Sequence, residues 1–135
     1  MRSLAIDQLN TLTDLHVHEV GNEQLFLVAS CPEPVPAWEA AVDVYERIAD
    51  VLARTGMEIV HERVFGSTSV EQAVMTAREE AFRTRAILCD GPVNYIEGCP
   101  TWGRGFAGVI IHAVTATGSH VLRKLTVNFH FRIIC

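Results

Sequence analysis

The sequence predicts an α+β fold, a mixed β-sheet with two helices packed on one of its faces. Three observations lead to it. Segments 36–55 and 70–84 place apolar residues at helical spacing. The other apolar segments alternate with period two or run unbroken and β-prone, as strands do. Their order along the chain is ββαβαβββ, which sets two helices against a single sheet.

Leu12 to Val20 alternates, with Leu15, Val17 and Glu19 on one face and His16, His18 and Val20 on the other. Gly21-Asn22 is a turn pair, and Glu23 to Cys31 follows as the second arm of a hairpin. The prolines at 32, 34 and 36 then remove three backbone donors and end the strand. From Pro36 to Thr55, Ala41, Val44, Tyr45, Ile48, Val51 and Leu52 form an apolar stripe, and Gly56 stops the helix. Glu58 to Ser67 returns as a strand. Ser69 can cap a second helix from Val70 to about Thr84, striped by Val70, Ala73, Val74, Ala77, Ala81 and Phe82. Ala86 to Cys89 reads as a short strand that is interrupted at Asp90-Gly-Pro92 and resumes at Val93 to Ile96. Gly98 to Gly108 is a constrained loop with four glycines. Phe106 to Thr117 has the unbroken apolar character of a central strand buried on both faces. After Gly118-Ser119, His120 to Ile134 alternates as a last strand. Two helices cover only one face, so the apolar strands predict that oligomerisation buries the other.

At 135 residues the expected organisation is a single domain, 1–135, with a core at about 12–117 and an extra C-terminal strand at 119–135. A chain of this length buries roughly two thirds of its unfolded surface and needs no staple. Eleven basic against 16 acidic residues give a net charge of −5, which argues against nucleic-acid partners. The charge is uneven: residues 1–60 hold ten acids and three bases, residues 61–135 six acids and eight bases. Cys31, Cys89, Cys99 and Cys135 form no CxxC pair. Met1 to Asn10 lacks the basic and apolar regions of a secretory signal, and no apolar run reaches membrane-spanning length. The expectation is a cytoplasmic protein with free thiols, no membrane partner, no metal and no cofactor.

In order and spacing the chain resembles the RidA (YjgF) family, small proteins of the chorismate-mutase-like fold. The resemblance runs through LFLVAS at 25–30, VYERIADVLARTGM at 44–57, VHERVFGS at 60–67 and AGVIIHAVTA at 107–116. GMEIVHERVFGS, PVNYIEG and CPTWGRGFAGVIIHAV are similar to the longer, two-domain chorismatases. The resemblance implies a homotrimer whose intersubunit clefts bind small carboxylates and hydrolyse 2-imino or enamine acids to 2-keto acids and ammonia. Its alternatives are a chorismatase-like hydrolase, or a fragment of one, and a ligand-binding regulatory trimer without catalysis. The family's carboxylate-binding Arg opens the strand after the second helix, and Arg85 is its best match here. The family's activating Glu falls at about Ile110, where this chain has no carboxylate.

The candidate catalytic residues are therefore Arg85 as anchor, with Glu97 or His112 orienting water. Tyr95, Cys99, Trp102 and Arg104 are the candidate substrate-binding residues around the glycine-rich loop. His16 and His18 share a strand face, but Glu19 lies on the other, so only two metal ligands are local. Gly103-Arg104-Gly105 lacks the spacing of a phosphate-binding loop.

Overall fold

A computed structural model describes residues 13–88 and 91–115. The elements are β1 (Asp14–Val20), β2 (Gln24–Ser30), α1 (Ala37–Thr55), β3 (Glu58–Gly66), α2 (Glu71–Thr84), β4 (Val93–Glu97) and β5 (Phe106–Val114). The five strands form one mixed sheet in the order β1-β2-β5-β3-β4. All neighbours are antiparallel except the edge pair β3–β4, which is parallel and joined through α2. The last expected strand, 119–135, lies outside the described residues, as do Cys89 and Cys135.

Both helices pack on one face of the sheet. The apolar stripe of α1 lies fully against it, with Ala41, Val44, Tyr45, Ile48, Val51 and Leu52 all at most 1% exposed. Opposite them stand Leu15 and Val17 of β1, Leu25 and Leu27 of β2, Val109 and Ile111 of β5, and Ile59 and Val64 of β3. Burying an aliphatic side chain of this size stabilises the fold by about 1.5–3 kcal/mol. The helix ends where the sequence indicates. Gly56 adopts φ 69°, and its N–H donates to the Leu52 carbonyl at 2.9 Å.

Three expectations need correction. Ser69 does not cap α2: it lies in a 3-10 turn (Thr68–Val70), and the helix proper begins at Glu71. Ala86 to Leu88 is not a strand, and Leu88 is 71% exposed. There α2 closes instead in a Schellman turn, with Ile87 N–H donating to Phe82 O at 2.8 Å and Ala86 N–H to Arg83 O at 3.1 Å. Ala86 takes the left-handed position, φ 54°, usually given to glycine, so the stop signal is hidden in the sequence. Finally, β5 is central, but its face away from the helices is not buried throughout: Ile110 is 38% exposed, although Val114 at the strand end is 1% exposed.

The helix-covered face also holds a charge cluster that periodicity does not reveal. Glu62, fully buried on β3, accepts two hydrogen bonds from Arg78 Nε (3.0 and 2.9 Å), one from Arg78 Nη2 (2.9 Å) and one from Tyr45 Oη (2.8 Å). The Arg78 guanidinium also lies 5.1 Å from the Phe82 ring centre. Arg78 falls on the buried stripe of α2, where its charge is matched rather than solvated.

Candidate functional site

The open face of the sheet is built by the residues that alternate with the core. Across it, register places His18 (β1) beside Phe26 (β2), Phe26 beside His112 (β5), and His112 beside His61 (β3). One step along, Val28 lies beside Ile110, Ile110 beside Arg63, and Arg63 beside Asn94 of β4. The rings of Phe26 and His112 stack, 4.4 Å apart and 4° from parallel. His112 Nε2 is 2.9 Å from Gln24 Oε1. His16 and His18 stack at 6.4 Å, and no three His, Cys, Asp or Glu among the described residues gather as a metal-binding group.

The electrostatics of this face are unusual for a surface. Burial pushes the His112 imidazole below its ordinary pKa, and neighbouring His61 pushes it the same way. His61 is likewise lowered, first by burial and then by Arg63, with Glu62 opposing. Both rings are thus held toward the neutral form, able to accept a proton. Arg63 is exposed and makes no hydrogen bond or ion pair among the described residues. The carboxylates that share its face by register, Asp14 and Glu58, stand at strand ends away from it. Asn94 on the adjacent strand is 8% exposed, and its Oδ1 is buried without a partner.

A second polar centre closes one end of the sheet. Tyr95 Oη donates to Ser67 O at 2.7 Å, and Ser67 Oγ accepts from Gly105 N–H at 2.9 Å. Trp102 Nε1 donates to Cys31 O at 2.8 Å, and a Cβ on Gly105 would press into the Trp102 ring. Glu97 accepts from the hydroxyl and the amide of Thr68, holding the turn that leads into α2. Tyr95, Glu97 and Trp102 are therefore committed to fixing the loop, whereas Arg104 is exposed on it. Cys99 is disulfide-bonded, contrary to the expectation of free thiols. Cys31 is a buried free thiol whose pKa burial pushes up, so it stays protonated near neutral pH.

Of the expected catalytic residues, the structure brings none together. His112 is on the open face, and Glu97 is at the loop end of β4. Arg85 is the exposed C-cap of α2, at the rim of three hollows of about 290, 270 and 310 Å³ on the helix side. The strand after α2 opens not at Arg85 but at Val93, which carries no guanidinium. Arg63 and Asn94 escaped sequence reasoning, because their adjacency depends on a parallel edge pairing.

No family model matches the chain, and no curated protein matches it. Solved structures do. A chorismatase superposes with a TM-score of 0.63 at 15% identity, over 84% of this chain and 35% of its own. A candidate translation initiation inhibitor from Salmonella typhimurium gives 0.47 at 18% identity, over 84% and 97%. The chain thus has a chorismatase-like α+β fold, as the resemblance implied, and spans about a third of the length of the chorismatase it matches. No helix among the described residues is long and apolar enough to cross a membrane.

Proposed function

We propose that this chain is a RidA-type module that binds small carboxylates against the open sheet face, in clefts completed by further copies in a homotrimer. The observation that carries the reading is Arg63, an unpaired guanidinium beside two neutral imidazoles and framed by Phe26, Val28, Phe65 and Ile110. A guanidinium forks onto a carboxylate with two charge-assisted hydrogen bonds. The reaction that fits is hydrolysis of a 2-imino acid: water adds to the C=N carbon, ammonia leaves, and a 2-keto acid remains. In this reading His112, on the same face, orients that water.

The test is the decay of 2-iminobutyrate generated by a threonine dehydratase, followed by semicarbazide trapping, with sedimentation to establish the trimer. Faster decay that His112→Ala abolishes supports hydrolysis. No acceleration by a folded trimer removes it and leaves a ligand-binding protein. The similarity in fold to chorismatase favours a second reading, hydrolysis of an enol ether, for which the same protein would release pyruvate from chorismate.

A further inference from the structure

Arg63 and Asn94 are register partners on β3 and β4 and share the open face. Among the described residues, one is a cation without an anion and the other an amide oxygen without a donor. Leaving a buried polar atom unpaired is costly, and such orphans in a native fold mark places where a ligand or water supplies the missing partner. Adjacent strands stand about 4.8 Å apart, so the two side chains can converge on one small molecule. The surroundings suit an anion. Ile110 lies on the far side of Arg63, His61 and Phe65 flank it along β3, and Asp14 and Glu58 are at strand ends. Arg85, by contrast, borders a hollow where Asp43 and Asp50 already pair with Arg47 and Arg54 and Glu46 adds a further carboxylate.

We propose that Arg63 and Asn94 together form a binding site for a small carboxylate bearing a hydrogen-bond donor on the adjacent carbon. The Arg63 guanidinium takes the carboxylate, and Asn94 Oδ1 accepts from the neighbouring O–H or N–H. The proposal deepens the carboxylate-binding reading above, and rests on it, by assigning the two residues that select the ligand.

The pair L-lactate and propionate tests it, since they differ in the α-hydroxyl alone. Titrations of the whole chain followed by NMR should show lactate binding more tightly. Arg63→Gln should weaken both by about tenfold or more, the loss expected for a charge-assisted fork. Asn94→Ala should erase the preference for lactate while propionate binding stays, with Asn94→Ser as the variant that keeps a small polar group on β4. Arg54→Gln, on the helix side, should change neither. Unchanged affinity in Arg63→Gln, equal binding of the two acids, or binding of neither by the folded protein would overturn the site. So would loss of binding in Arg85→Gln alone. The hydrolytic reading stands or falls separately. Imine decay that Arg63→Gln leaves intact keeps the hydrolase and removes this site, whereas lactate binding through Arg63 without imine turnover does the reverse.

Discussion

The two faces of this sheet carry charge in opposite ways. Under the helices, Glu62 meets Arg78 and Tyr45 with every carboxylate oxygen satisfied. On the open face, Arg63 one residue along the same strand has no such partner, and His61 beside it is pushed toward neutrality. A strand thus alternates between a charge matched for folding and a charge left for something outside the chain. Buried charge has to be matched, whereas an exposed guanidinium is solvated and remains available to an outside anion. The contrast is what the binding site proposed on the open face rests on.

The comparison breaks most sharply at the buried pair. Arg78→Ala leaves Glu62 uncompensated beneath two helices and should cost about 3–5 kcal/mol of unfolding free energy, measured by urea denaturation. The double variant Glu62→Leu, Arg78→Met removes both charges at similar volume and should recover most of that loss. Arg63→Gln, by contrast, should unfold at nearly the wild-type denaturant concentration, within about 0.5 kcal/mol. Equal damage from Arg63→Gln and Arg78→Ala would mean that the open face is structural after all.

A smaller effect comes from pH. His61 and His112 have folded-state pKa values below their unfolded values, so the unfolded chain binds more protons in the acid range. Stability is therefore complete above the ordinary histidine value of about 6.5 and falls as pH drops below it. The groups facing these rings are Arg63 on β3 and Gln24 and Phe26 on β2, with Asp14 and Glu58 at strand ends; the Glu62 carboxylate raises the His61 pKa but is outweighed by burial and Arg63, so the sign stands. His61→Asn with His112→Asn should flatten the decline between about pH 7 and 5. A decline that persists unchanged in the double variant would place the acid sensitivity elsewhere.

How much of this the sequence disclosed depends on whether the signal was local. The first helix was legible because its stripe has helical period and its end is a glycine. The second was legible in its middle and misread at its end, because an alanine occupies the left-handed position and the apolar Ala86–Leu88 that follows looks like a strand. The Glu62–Arg78 cluster was invisible, since each charge in isolation reads as solvated and 16 residues separate them. His112 was legible as an odd polar residue in an apolar strand. Arg63 was not, because its significance lies in what stands beside it: β3 pairs with β5, which is not its neighbour in the chain, and in parallel with β4 across α2, so the register that brings Asn94 to it is not local.

The misread helix end gives the smallest effect. At Ala86 the backbone holds φ 54°, where a Cβ is crowded by its own carbonyl. Ala86→Gly keeps the two hydrogen bonds of the turn, relieves that crowding and adds freedom to the unfolded chain. The first gain exceeds the second, because an L-residue in this region costs about 1–2 kcal/mol while glycine's added entropy costs about 0.5–1 kcal/mol. The expected outcome is a stabilisation of up to about 1 kcal/mol, read as a higher urea midpoint with an unchanged slope. Ligand affinity should not move, because residue 86 is on the helix side and the Arg63 face is on the other. A gain in stability paired with a loss of lactate binding would show that the two faces are coupled through α2. The separation between the folding face and the binding face would then fail.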